Sequence, residues 1–309
     1  MRVVFLGSGS FAIPSLEALL AAGHDVVAVV TQPDREKGRG RALSPPPLKP
    51  VAAARGLEIL QPRRVREPES LAALQALAPE IQVVVAYGQI LPRAVIDVAP
   101  RGTVNVHASL LPRYRGAAPV QWAIVNGEAE TGVTTMLIDE GLDTGPLLLA
   151  EATPIGAEET ADVLEARLAL IGADLLVRTL KGLHEGTVVA RPQDAARATL
   201  APLIKKEDGL IDWTLPADAL ARRVRGFHPW PGAYISRQGH GLRVLRARAE
   251  TGPAGVPGTL LAVDRDGLVV AAGDGTALRL LEVQPESRKP MPAASFAAGA
   301  RLAVGERLG

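Results

Sequence analysis

A chain of 309 residues exceeds the usual size of a single core, so one larger and one smaller domain are expected, and a hydrophobic content of 47% is enough to fill both. The absence of Cys excludes disulfides, thiolate catalysis and Cys-ligated metals. The net charge of +1 hides an asymmetry, with 15 Lys and Arg against 11 Asp and Glu from residue 201 onward and 19 against 22 before it. A basic tail of this size is compatible with a nucleic-acid partner without specifying one.

Residues 2–6 form an apolar run that reads as a buried strand entering a glycine turn at Gly7, with nothing like a signal peptide. No apolar run approaches the roughly 18 residues of a membrane span, and a cytoplasmic protein is expected. Helical spacing over 14–22 (Leu16, Leu19, Leu20) and a second β-branched run at Val26–Val30 complete a βαβ opening. Gly7-Ser8-Gly9-Ser10-Phe11-Ala12 matches a dinucleotide fingerprint, but Val30-Thr31-Gln32-Pro33 stands where the acidic ribose ligand belongs. A tight turn leading into a helix explains the glycines equally well.

After Pro33, Asp34-Arg35-Glu36-Lys37-Gly38-Arg39-Gly40-Arg41 runs towards Pro45-Pro46-Pro47 and is too charged and broken to continue an element. An exposed, mobile loop is expected, either a solvated insertion or a segment that closes on a phosphate backbone. Further strands are expected at Ile81–Ala86, Val104–Val106 and Val133–Ile138, with helices around 48–55, 70–77, 118–126 and 160–182. The fold class that follows is α/β, an open and mostly parallel Rossmann-like sheet with ligands at the carboxyl ends of its strands.

Asn105-Val106-His107 places two polar side chains one residue apart, so on an extended segment both point to one face and can converge on one oxygen. Asp143, after Asp139-Glu140-Gly141-Leu142, would complete the group. An amide, an imidazole and a carboxylate are the parts needed to hold an oxyanion and move a proton. The same residues could instead satisfy backbone groups at a strand end.

His184–Lys206 lacks a period and reads as a connector. A helix over Pro216–Arg225 precedes short strands at Ala233–Ile235, Leu242–Leu245, Thr259–Val263, Leu268–Ala271 and Leu278–Val283, which suggest a small barrel. Arg222, Arg223, Arg225, Arg237, Arg243, Arg246 and Arg248 are dense enough for a basic face, or they are the wet side of an antiparallel sheet. The Phe227-His228-Pro229-Trp230-Pro231-Gly232-Ala233-Tyr234 segment reads as a rigid turn whose aromatics enter the core.

Together these segments resemble the methionyl-tRNA formyltransferases. The resemblance rests on Gln32-Pro33-Asp34-Arg35 with Gly38-Arg39-Gly40, on Asn105-Val106-His107-Ala108-Ser109-Leu110-Leu111-Pro112 running into Tyr114-Arg115-Gly116-Ala117-Ala118-Pro119, on Asp143-Thr144-Gly145, and on Phe227–Tyr234. It implies transfer of a formyl group from N10-formyltetrahydrofolate to methionyl initiator tRNA, with Asn105, His107 and Asp143 as the catalytic group and no metal. It places the folate against Gln89, Ile90 and Leu91, the turn Ser109, Leu110, Leu111 and Pro112, and the loop Glu140, Gly141 and Leu142. It assigns Arg35, Lys37, Arg39 and Arg41, with Lys205, Lys206 and Arg243, to the tRNA, Arg39 foremost.

The organisation implied is a formyltransferase-type catalytic domain over 1–189, a linker over 190–207, and a C-terminal OB-like β-barrel over 208–309 that binds tRNA, in a monomer. The competing readings are a formyltransferase of a sugar-nucleotide or other small amine, an NAD-dependent oxidoreductase resting on Gly7 and Gly9, and a catalytically silent RNA-binding protein.

Overall fold

The computed structural model describes residues 1–37, 42–237, 239–252 and 255–309. Along the first part of the chain run β1 (Arg2–Gly7), α1 (Ile13–Ala21), β2 (Asp25–Val30), β3 (Arg35–Lys37), β4 (Ala42–Ser44), α2 (Leu48–Ala54), β5 (Ile59–Leu60), α3 (Pro68–Ala76), β6 (Ile81–Val85), α4 (Arg93–Ile96) and β7 (Thr103–His107). Then come β8 (Arg115–Gly116), α5 (Pro119–Val125), β9 (Glu130–Leu137), β10 (Leu147–Pro154), α6 (Ala161–Glu185) and β11 (Leu200–Ala201). The last part holds α7 (Ala217–Gly226), β12 (Ala233–Arg237), β13 (His240–Glu250), β14 (Leu260–Asp264), β15 (Gly267–Ala271), β16 (Ala277–Pro285), β17 (Met291–Pro292) and α8 (Ala293–Ala300).

Two compact units result. The first comprises 1–116, 130–154 and 165–201, and the second comprises 117–129, 155–164 and 202–309. In the first, the sheet order is β10-β9-β7-β6-β1-β2-β5. The five strands from β7 to β5 are parallel, while β9 and β10 are antiparallel additions at the β7 edge. β6 is buried at all five positions, as its unbroken apolar sequence requires of a central parallel strand.

The strand order reverses between β1 and β6, the place where a dinucleotide would bind. There Ser8 Oγ donates to the Tyr87 carbonyl at 3.1 Å and accepts the Gln32 N–H at 3.0 Å, and the Gln32 side-chain amide donates to the same carbonyl at 3.2 Å. A Cβ on Gly7 would stand 2.9 Å from both Ala12 Cβ and the Phe5 ring. Close packing of the turn therefore accounts for this glycine.

The segment after Pro33 departs from the expected loop. Arg35–Lys37 and Ala42–Ser44 pair antiparallel as a hairpin, with Arg35 opposite Ser44 and Lys37 opposite Ala42. Cross-strand backbone bonds do not need apolar side chains, so charge did not prevent pairing. Arg39 and Arg41, with Gly38 and Gly40, lie outside the described residues. The hairpin's base is anchored: Lys49 Nζ donates to both Asp34 carboxylate oxygens at 2.8 Å, and the Gln61 amide donates to one of them at 2.8 Å. The Lys49 bond, followed by the Gln61 bond, holds the Asp34 carboxyl below its ordinary titration range.

In the second unit the antiparallel ladder runs β12-β13-β16-β15-β14, with β17 added beside β16. Its two ends are joined through the C-terminal stretch: Leu260 exchanges backbone bonds with Gly305 and Glu306, and Arg237 on β12 binds Glu306 at 2.6 Å. Residues of all five strands, of α7 and of α8 meet in one apolar core. A second cluster joins Ala118, Val125 and Trp122 of the 117–129 segment to Ile204 and Phe227.

Candidate active site

The alternation of β7 puts Asn105 and His107 on one face of the strand. His107 is buried, and its Nε2 lies 2.9 Å from the Tyr114 carbonyl oxygen. A carbonyl can only accept, so the ring proton sits on Nε2 and Nδ1 is the nitrogen left for chemistry. Nδ1 faces Asp143 Oδ2 at 3.6 Å. Among the described residues, the Asn105 side-chain amide has no protein hydrogen-bond partner, although it is partly withdrawn from solvent.

Asp143 reaches His107 by a route that the strand pattern does not show. Because β9 is antiparallel, Leu137 ends beside Val104, at the amino end of β7, not beside His107. The loop 138–146 must therefore fold back along β7. Its neck is closed by the Leu137 N–H donating to the Pro146 carbonyl at 2.9 Å. Inside it, Asp139 Oδ1 accepts from Gly141 N at 3.0 Å and from the Thr144 hydroxyl at 2.6 Å. A Cβ on Gly141 would overlap the Thr144 hydroxyl, and one on Gly145 would overlap the Leu137 carbonyl. Asp143 itself sits at φ 51, a region that Asp tolerates better than most residues. The Asp139–Gly145 motif is thus a device for presenting one carboxylate.

The turn after His107 is built as tightly. Thr134 Oγ1 donates to the Ser109 carbonyl at 2.7 Å and accepts the Leu111 N–H at 3.1 Å, while Ser109 Oγ donates to the Arg113 carbonyl at 2.7 Å. Tyr114, at φ 60, turns its carbonyl back onto His107. Gly116 then donates its N–H to Asp143 Oδ2 at 2.8 Å, which ties the two catalytic segments together. With φ at 123 and Ala201 O 2.6 Å from where its Cβ would be, position 116 admits only Gly.

Residues 1–180 match the formyl transferase family and residues 203–301 match the formyl transferase, C-terminal domain, family. The chain is 56% identical to a methionyl-tRNA formyltransferase of Solibacter usitatus, covering 100% of this chain and 99% of that one. It is 52% identical to a methionyl-tRNA formyltransferase of Citrifermentans bemidjiense, covering 100% and 96%. The chain belongs to the methionyl-tRNA formyltransferase family. Among solved structures it superposes on HypX from Aquifex aeolicus in complex with tetrahydrofolic acid, with a TM-score of 0.66 at 19% identity over 99% of this chain and 48% of that one. The chain spans about half the length of that protein, and the likeness is one of fold.

In this formyltransferase the segments expected to hold folate divide into frame and surface. Gln89 is frame: its amide accepts Val65 N at 2.8 Å and donates to the Pro62 carbonyl at 3.2 Å. Leu91 and Leu111 are buried, and Ser109, at 0% exposure, has its hydroxyl engaged as above. Leu110 lies against Gly132, where a Cβ would stand 2.6 Å from its side chain. Pro112 accepts the Thr199 N–H at its carbonyl, at 3.3 Å. The surface consists of Ile90 at 92% exposure and Leu142 at 64%, with Glu140 and Gly141 exposed beside Leu142. Arg93, just after Leu91, is held protonated first by its 2.6 Å bond to Asp97 and further by the charge of Glu140.

The residues expected on the nucleic-acid side are similarly divided. Arg35 donates to the Gln32 amide oxygen at 3.0 Å at the foot of the hairpin. Lys205 and Lys206 are exposed. Arg243 donates to the Pro229 and Pro231 carbonyls at 2.6 and 3.4 Å and so staples the proline-rich turn. The expected basic face is largely taken up by internal bonds. Arg222, Arg223 and Arg225 hold the Val125, Asp208 and Glu159 carbonyls, Arg237 pairs with Glu306, and Arg248 pairs with Glu250, leaving Arg246 exposed. Of the aromatics expected in the core, Phe227 is fully buried, but Trp230 is 57% exposed because the turn carries it outward. Among the described residues no group of three or more His, Cys, Asp or Glu is placed to hold a metal ion, and no helix is long and apolar enough to cross a membrane.

Proposed function

We infer that this formyltransferase moves the formyl group of N10-formyltetrahydrofolate onto the α-amino group of methionine esterified to initiator tRNA. The observation that carries the reading is the pair on β7: an amide that meets no partner among the described residues, next to an imidazole whose second nitrogen faces a carboxylate. Exposed apolar Ile90 and Leu142 offer apolar contact to the ligand, and the backbone of 140–142 offers polar groups.

The donor supplies an activated formyl group on N10. In the transfer, a bond from the amine nitrogen to the formyl carbon forms, the bond from that carbon to N10 breaks, and one proton passes from amine to N10. Asn105 donates from its amide to the formyl oxygen as that oxygen gains charge. His107 reaches the same oxygen through Nδ1, the nitrogen that faces the Asp143 carboxylate at 3.6 Å, and Asp143 orients the ring. Asp143, directly or through water, also takes the proton that the amine releases.

For the acceptor we propose that Arg35, Lys37, Arg39 and Arg41, in the sequence segment 34–43, meet the acceptor end, with Lys205, Lys206 and Arg243 extending the contact. Catalysis is assigned to 1–189, and tRNA support to 208–309 through the linker 190–207, in a cytoplasmic monomer. The test is formylation of charged initiator methionyl-tRNA with the folate donor, beside a panel of amino-sugar nucleotides. Turnover of an amino sugar with the tRNA left untouched would overturn the acceptor and leave the chemistry. Contacts to phosphate position without specifying and weaken with salt. Replacing Lys205 and Lys206 together by Ala is expected to raise KM for tRNA and to lower the slope of log KM against log salt by about 1 to 2. An unchanged slope would remove both lysines from the interface.

A further inference from the structure

The connector that follows α6 contains a residue that neither the motifs nor the two family matches take in. Gln193 lies between residues 180 and 203, where the two matches stop and restart. It is half-buried, and both ends of its side-chain amide are in use. Nε2 donates to the Asp143 and Gly145 carbonyls, each at 2.8 Å. Oε1 accepts from Arg115 Nη2 at 2.7 Å and from Arg115 Nε at 3.1 Å. The alternative orientation of the amide would set an oxygen against two carbonyls and an NH2 against a guanidinium, so the assignment has one solution.

We propose that Gln193 is a positioning residue for formyl transfer, setting the Asp143 carboxylate relative to His107. Asp143 is held at two points, with Gly116 N–H on its Oδ2 and Gln193 on its carbonyl, and Gln193 also holds the Gly145 carbonyl, two residues on. Arg115, the far partner of Gln193, is the residue immediately before Gly116. One side chain therefore clamps the segment that carries Asp143 to the segment that meets its carboxylate.

The surrounding connector provides the rigidity such a clamp needs. Arg191 exchanges two backbone bonds with Leu147, at 2.7 and 2.9 Å. Thr199 Oγ1 accepts the Tyr114 N–H at 2.8 Å, and its carbonyl accepts the Arg115 N–H at 2.9 Å. β11 then pairs with β8 in parallel. Gln193 is thus suspended between two fixed points, both on the segments it joins. The positive φ of Asp143 makes such restraint necessary, because a non-glycine residue in that region persists only where its surroundings hold it.

The inference rests on the catalytic assignment of Asp143, and its test separates the two. Gln193→Glu keeps the side-chain volume and the acceptor for Arg115 but replaces two donations with repulsion towards two carbonyls. In the full chain, kcat for methionyl-tRNA formylation is expected to fall roughly 10- to 100-fold, the range for a catalytic group displaced by about an ångström. KM for the folate donor should stay within about threefold. On an Asp143→Ala background the same change should add no more than about twofold, because the group it positions is gone. If Gln193→Glu does not yield folded protein, Gln193→Ala is measured in the same way. Wild-type kcat, or an equal loss on the Asp143→Ala background, would overturn the positioning role. A wild-type rate for Asp143→Ala alone would instead overturn the catalytic assignment beneath it.

Discussion

Single-turnover formylation by Asn105→Ala is expected to run about 100- to 1,000-fold below wild type, the cost of one oxyanion donor. His107→Ala should lose at least as much, if the proposed mechanism holds, because there the imidazole meets the formyl oxygen and its Nδ1 also faces the Asp143 carboxylate at 3.6 Å. The two variants should differ in stability, and that contrast makes the pair informative. The Asn105 amide contacts no protein acceptor among the described residues, so its removal should leave unfolding within about 0.5 kcal/mol of wild type. The His107 ring bonds the Tyr114 carbonyl in a buried site, and deleting it removes that hydrogen bond at a cost of about 1 kcal/mol. Chemical denaturation beside rapid-quench kinetics reads both quantities. An Asn105→Ala enzyme within threefold of wild type would remove the oxyanion role on which the mechanism depends.

Gly145→Ala is expected to damage fold and activity together. Its Cβ would overlap the Leu137 carbonyl, a backbone atom at the neck of the loop that cannot rotate away. Overpacking of this kind costs about 1–3 kcal/mol. The strain is relieved only by opening the neck, where Leu137 N–H meets the Pro146 carbonyl. That movement carries the Gly145 carbonyl off Gln193 and Asp143 off Gly116, so a fall in kcat of about 100-fold is expected with donor binding less affected. Gly299→Ala is the control: nothing lies within 4 Å of its Cβ position on α8, and it should be neutral or stabilising by up to about 1 kcal/mol. Full activity in Gly145→Ala would mean that the loop tolerates a shift at its neck, and that Asp143 is placed by Gly116 alone.

The strand signals of the first unit were legible because they are local. The runs at 2–6, 26–30 and 81–86 correspond to β1, β2 and β6, each within two residues at either end. β10 was not legible: Leu147–Pro154 mixes apolar with small and acidic residues, and its burial alternates only loosely. α8 was missed for a related reason, since Ala-rich Ala293–Ala300 has no distinct polar face. The hairpin of β3 and β4 escaped because its pairing depends on backbone groups, which charge and glycine content do not report.

By itself, the sequence determined which chemistry is available: Asn105 and His107 share a face because strand side chains alternate, and an acidic residue stands in a glycine-rich loop downstream. Tertiary structure alone decided how the group meets. The antiparallel course of β9 sends the 138–146 loop back along β7, and the Tyr114 carbonyl selects the free nitrogen of His107. Gln193 joins Asp143 to Arg115 across separations of 50 and 78 residues. The physical reason is the range of the forces. Periodicity records burial against the nearest turn or pleat, whereas a loop's polar partners are whatever the fold brings to its backbone, and no spacing in the chain encodes them.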